Sequence, residues 1–293
     1  MRKGIIQKLT MLAFVAMVGI PAFAQGGKFG TNAGVATTIG EGHVAGDVFD
    51  LEELQYRVID TQTGLNLEVI GFASYISGAT GDPTLLESKY AGTVTIPHYL
   101  DPADVGVAAH VSSVAANAFT TTVLYPTAPG NSADSKDQFA AAAAKVTKLE
   151  IDYSPTEITA GFGANAFAGL TALTEVKNLT PGDKVLDIPE NAFANTTYGN
   201  ATLIVPNGSQ TMGLYAQHTG WCYFLLIKSP SMTGYFLDIN GDGDIDEYDL
   251  LALEDACLLD DFTGLSSETL DVNGDGFVDE FDMLALEDLL LLR

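Results

Sequence analysis

The chain contains one 23-residue unit twice. Leu237–Leu259 and Leu270–Leu292 align at an offset of 33 residues, with 16 of 23 positions identical. Each copy opens with carboxylates and glycines at alternate positions and continues into a leucine-rich run. Charge is concentrated in the same tract. From Asp238 to Arg293 there are 18 Asp and Glu and one basic residue, within a chain whose formal charge is -25. A uniformly acidic surface gives solubility, but acid packed into so short a tract calls for a cation. The balance of 13 basic to 38 acidic residues also argues against nucleic acid, which needs a Lys/Arg surface.

Calcium takes six to eight oxygens at about 2.3–2.6 Å, so a short loop must turn several oxygens toward one point. Numbered from its first carboxylate, the first loop offers Asp238, Asn240 and Asp242 at positions 1, 3 and 5. The backbone turns at Gly243, Asp244 supplies its carbonyl, Asp246 acts at position 9 and Asp249 closes the loop at position 12. The second loop repeats this with Asp271, Asn273, Asp275, Gly276, the carbonyl of Phe277, Asp279 and Asp282. Apolar β-branched residues at positions 2 and 8 (Ile239 and Ile245, Val272 and Val278) separate these loops from a disordered acidic tail. Position 8 is where two paired loops can meet edge to edge. Two calcium ions are expected, and a cation-free module that is largely unfolded.

The closing ligand is Asp where an ordinary EF-hand has Glu. Tandem Asp-x-Asn-x-Asp-Gly loops, each closed by Asp and followed by one helix, resemble the type I dockerin module over Leu237–Leu292. The resemblance implies a calcium-folded, all-α, paired EF-hand-like module that docks to a cohesin-like or other surface or scaffold protein. It also implies that loop positions 10 and 11 and the following helix choose the partner. Here those positions are Glu247 with Tyr248 and Glu280 with Phe281. The helices add Leu250 and Leu253, matched by Met283 and Leu286, at helical spacing. Family members often carry small hydroxyl residues at positions 10 and 11 and basic residues along the helix. This chain instead has Glu254-Asp255 and Glu287-Asp288. The leucine stripes are either a partner-binding patch or internal core.

Upstream, Asn-Ala-Phe recurs at Asn117–Phe119, Asn165–Phe167 and Asn191–Phe193. Short β-type runs end in proline at Thr93–Pro97 and Ala201–Pro206, where the missing N–H stops a ladder. With Tyr56–Ile59, Leu67–Gly71, Val111–Phe119 and Pro206–Ser209, these runs look like the BspA-type leucine-rich repeats of bacterial cell-surface proteins, over Leu54–Ile227. That resemblance implies a mixed α/β chain, a β-rich leucine-rich-repeat solenoid that presents a surface for a protein or glycan ligand. Thr121–Ala144 departs from the pattern and reads as a loop with one inserted helix. The alternative is a β-rich globular domain in which Asn-Ala-Phe is a packing device.

The N-terminus combines Arg2, Lys3 and Lys8 with an apolar run Met11–Ile20 and a small-x-small site at Ala22–Ala24. It reads as a signal peptide over 1–24 rather than a membrane anchor, because the run is shorter than the ~20 residues a spanning helix needs. The expected organisation is therefore signal peptide 1–24, repeat body 25–228, linker 229–234 and calcium module 235–293, in a secreted or cell-surface bacterial protein. Cys222 and Cys257 read as thiols rather than a disulfide. Catalytic patterns are missing: the four histidines show no zinc spacing, and there is no nucleophile elbow or phosphate-binding glycine loop. Tyr215, Trp221 and Tyr223 form either a glycan platform or an aromatic cap. The reading is a non-enzymatic binding protein. The alternatives are a dockerin-borne carbohydrate-active enzyme and a calcium module that caps its own chain.

Overall fold

The structure, a computed structural model, describes residues 44–51, 54–60, 65–72, 92–100, 108–120, 143–152 and 161–292. The signal-peptide segment and all but the end of the segment expected to hold an inserted helix lie outside the described residues.

Eleven strands form two sheets among these residues. The first sheet holds β1 (Val48–Leu51), β2 (Leu54–Asp60), β3 (Leu65–Phe72), β5 (Tyr99–Leu100), β6 (Ala109–Val114) and β8 (Gly161–Phe162). Its pairing is mixed. β1, β2 and β3 run antiparallel in succession, β3 pairs β6 in parallel, and β5 returns antiparallel on β6. The second sheet is parallel throughout, in the order β11 (Leu226–Lys228), β10 (Thr202–Ile204), β9 (Glu175–Asn178), β7 (Val146–Ile151) and β4 (Gly92–Ile96).

Alternation places the core in the parallel sheet. Val94, Leu149, Val176, Leu203 and Ile227 are successive cross-strand partners, and all are buried. Burying a side chain of this kind stabilises the fold by about 1.5–3 kcal/mol. The opposite face is wet, with Lys148–Glu175 at 3.2 Å and Lys177–Glu150 at 3.4 Å, pairs worth about 0–1 kcal/mol each.

The Asn-Ala-Phe triplets pack on one another. Asn117 and Asn165 take left-handed backbone angles (φ 61 and 56), which Asn tolerates better than most residues, and the Asn165 amide donates to Asn117 Oδ1 at 3.1 Å. Phe119 stacks on Phe167 at 5.7 Å and Phe167 on Phe193 at 4.9 Å. Trp221 then closes the row beside Phe193.

Among the described residues no solenoid is formed, which corrects the expected leucine-rich-repeat architecture. Repeats of that kind stack parallel strands in one continuing ladder, whereas here the strands divide between two sheets and one of them begins as an antiparallel meander. The fold is mixed α/β with few helices. Four α-helices are described: α1 (Asn195–Asn200), α2 (Ser209–Gln217), α3 (Glu247–Leu259) and α4 (Glu280–Leu291).

A separate all-α module is not seen either. The tail contains α3 and α4, but long loops lie before and between them. Phe236, Leu237, Ile239, Leu253, Leu270, Val272, Leu286 and Leu289 also belong to the same continuous core as Trp221, Phe224 and Ile227. The 229–234 segment is held in place as well. Ser229 is buried, and Ser231 bridges its hydroxyl to Asn207 with 3.0 Å contacts. Cys222 and Cys257 are free and half-buried. Among the described residues no helix is long and apolar enough to cross a membrane.

Candidate metal centre

Both loops take the same shape. Gly241 and Gly274, at position 4, adopt φ 75 and 74, and Gly243 and Gly276, at position 6, adopt φ 95 and 92. These left-handed angles are strained for any residue with a Cβ, which is why glycine recurs there. Consecutive side chains fold back on the loop. Asn240 Oδ1 accepts from Asp242 N–H at 2.8 Å, and Asp242 Oδ1 from Asp244 N–H at 2.9 Å. Asn273 and Asp275 do the same in the second loop.

Positions 9 and 12 start the helices. Asp246 accepts from Tyr248 N–H at 2.8 Å, while Asp249 accepts from Asp246 N–H at 2.9 Å and from Ile239 N–H at 2.7 Å. Asp279 and Asp282 form the same reciprocal cap on α4. These bonds satisfy helix N-terminal donors and suit the positive end of the helix dipole. The same carboxylates that would close a cation site therefore fix where α3 and α4 begin.

The donor set fits a hard cation. Asp238 and Asp271, at position 1, are both buried, and the Oδ1 atom of each has no hydrogen-bond partner. A buried carboxylate oxygen without a partner is costly unless a cation meets it. Burial pushes the Asp249, Asp271 and Asp282 carboxyls up from their ordinary value, despite backbone N–H bonds that pull the other way. Asp238, Asn240, Asp242, Asp246 and Asp249, with the Asp244 carbonyl, would hold one ion. Asp271, Asn273, Asp275, Asp279 and Asp282, with the Phe277 carbonyl, would hold another. Among the described residues no three acidic, His or Cys side chains converge as a ready-made cage. Backbone N–H groups instead occupy oxygens of Asn240, Asp242, Asp249, Asn273, Asp275 and Asp282, and leave Oδ1 of Asp238 and Asp271 unmet. A bound calcium ion supplies two positive charges that offset the mutual repulsion of these carboxylates.

A pH dependence follows from the raised carboxyls. A carboxyl whose folded pKa exceeds its unfolded one binds protons more readily in the native state, so folding loses stability as pH rises through that window. The unfolded value lies near 3.8. In calcium-free buffer the unfolding temperature is expected to fall as pH rises from about 4 toward neutrality. With calcium saturating, the trend should reverse, because the ion needs the ionised form. Thermal scans across this range, with and without calcium, check both signs.

The expected partner residues divide into two sets. Leu253 and Leu286 are 0% exposed, and Leu250 and Met283 are half-buried, so this stripe faces the core. The reason is helical geometry: the faces of α3 and α4 that pack on each other take these positions. Glu247, Tyr248, Glu280 and Phe281 are exposed. An adjacent stripe is exposed with them. It comprises Tyr248, Leu251 and Leu258 (74% exposed), matched by Phe281, Leu284 and Leu291 (78% exposed). Acidic Glu247, Glu254 and Asp255 flank the first stripe, and Glu280, Glu287 and Asp288 the second. Both helices are thus apolar on two faces, one inward and one outward.

Two of the histidines pair with carboxylates of the body. His98 Nδ1 lies 2.6 Å from Asp152, and His218 Nδ1 lies 2.9 Å from Asp187. Tyr215 and Trp221 are buried, their O–H and N–H bonded to the Thr180 and Leu186 carbonyls. They pack as core and form no glycan platform.

Residues 229–291 match the family model of the type I dockerin domain. The C-terminal part of the chain is therefore a dockerin type I domain with an EF-hand-like, calcium-binding loop design. Comparison with curated proteins found no match, and comparison with solved structures found none.

Proposed function

We propose that this is a secreted, non-enzymatic docking protein, located outside the cell or at its surface. Its C-terminal dockerin domain would bind two calcium ions and engage a cohesin-like partner. The observation that carries this reading is the pair of exposed aromatic–leucine stripes beside the two loops in a stretch that matches the type I dockerin model. Contiguous apolar surface of this kind, rimmed by polar groups, marks protein–protein contact. Because Glu247, Glu254, Asp255, Glu280, Glu287 and Asp288 beside the stripes are all acidic, the complementary surface would be apolar with a Lys/Arg rim. Ordinary dockerin surfaces with basic helix residues point to the opposite charge, so this chain should discriminate among cohesins by sign as well as by shape.

The test is capture of the full chain on a panel of purified type I cohesin domains, in calcium and in chelator. Binding is expected in calcium only, to members with basic faces, and a Leu251→Asp, Leu284→Asp double variant should weaken it more than tenfold. Failure of every cohesin to bind in calcium would remove this function.

A further inference from the structure

The two calcium loops, alike in sequence and backbone, sit in different surroundings. The first is open: a Cβ added at Gly241 would meet nothing within 4 Å. The second lies against α2, a helix of the body. A Cβ at Gly274 would sit 2.7 Å from the Gln210 carbonyl oxygen and 2.8 Å from Leu214 N. From the other side, a Cβ at Gly213 would sit 2.5 Å from Gly274 N and 2.8 Å from the Asp271 carbonyl oxygen. The two backbones touch, and only a pair of glycines allows it. Gln217 Nε2 adds a hydrogen bond to the Asn273 carbonyl. All three loop residues in this contact are at positions 1, 3 and 4 of the second loop, where the donor set begins.

α2 is itself fixed to the body. Met212, Tyr215 and Ala216 are buried, Tyr215 O–H donates to the Thr180 carbonyl at 2.8 Å, and its ring packs on Trp221 at 5.7 Å. The contact therefore runs from Asp271 through the glycine pair to α2 and on to the centre of the aromatic core.

We propose that the second loop is a calcium-controlled latch on the body through α2, whereas the first loop, open at Gly241 and Gly243, makes no such glycine contact. The proposal rests on the reading that both loops bind calcium. An ion that holds Asp271–Gly274 in its folded shape favours docked α2, and docked α2 must tighten that ion by the same factor, because coupling between two events is reciprocal. The duplication would then have divided its labour, with one loop anchoring the body and its sister left open to solvent.

Trp221, the single tryptophan of the chain, reports on α2. Calcium titration of the full-length protein, followed by Trp221 emission and in parallel by calorimetry, tests the latch. Asp275→Ala and Asp242→Ala disable the same position in the second and first loops. The expected result is a calcium-dependent emission change that Asp275→Ala abolishes and Asp242→Ala leaves intact in amplitude. Gly213→Ala, which forces the backbones apart, should weaken calcium binding at the second loop by about tenfold or more. If Gly213→Ala does not fold, the two Asp variants decide alone. Calcium heat without any Trp221 response, or equal loss in both Asp variants, overturns the latch and leaves calcium binding standing. No calcium heat in the parent chain overturns both.

Discussion

Stripping calcium from the full-length protein is expected to lower its unfolding temperature by about 15 °C or more. Each ion present at about a thousandfold excess over its Kd stabilises the native state by about 4 kcal/mol. Two ions thus supply an amount comparable to the whole stability of an ordinary domain, about 5–15 kcal/mol. A chain of this size shifts by about 2–4 °C per kcal/mol. The effect should not stay in the tail. Leu237, Ile239, Leu270 and Val272 flank the loop carboxylates and are buried in the same core as Trp221 and Phe224, so losing the loops exposes the end of the body core. Without the ion, Asp238 and Asp271 each keep a buried oxygen with no partner, and six carboxylates crowd the first loop between Asp238 and Asp249. Scanning calorimetry with saturating calcium and with chelator makes the comparison. Superimposable transitions would show that the loops fold without help.

Phe167→Ala is expected to cost about 3–5 kcal/mol and lower the unfolding temperature by about 10 °C. Phe167 is fully buried in the middle of the row, stacked on Phe119 and Phe193 and met edge-on by Phe162 at 5.2 Å. Removing its ring leaves a cavity bordered by three aromatic side chains. The triplet backbones cannot close it easily, because they are bonded to one another: Phe119 N–H donates to Ala166 O and Phe167 N–H to Ala192 O. Phe167→Leu, which keeps most of the volume, should cost much less. Chemical denaturation of both variants measures the difference. A loss under about 1 kcal/mol for the alanine would mean that the repeated triplet is not a packing device.

The calcium loops were readable in the sequence because their chemistry is local. Twelve consecutive residues contain the oxygens and the turning glycines, so spacing alone marked each loop and the helix after it, while the structure starts α3 at Glu247 and α4 at Glu280, inside the twelve-residue span. The body was not readable in the same way. Its strands lie close to where β-type runs and prolines placed them, and the Asn-Ala-Phe triplets do pack together. Periodicity, however, describes units and not their pairing. That β1 to β3 run antiparallel, and that β3 then pairs in parallel with β6, depends on contacts between residues such as Leu67 and Val111. The resemblance to leucine-rich repeats implied a single parallel ladder instead.

The exposed apolar stripes were half legible for a related reason. Helical spacing shows that α3 and α4 are leucine-rich, but only packing shows that Leu253 and Leu286 turn inward while Leu251 and Leu284 stay outside. The Gly213–Gly274 contact was invisible, because glycine in a sequence gives no sign of which distant backbone approaches it.

Calorimetric titration of calcium into the metal-free full-length chain puts the least inference between the claim and the result. Binding of two ions per chain, lost one at a time in Asp242→Ala and Asp275→Ala, is the outcome expected. Absence of saturable binding in the parent protein would contradict it.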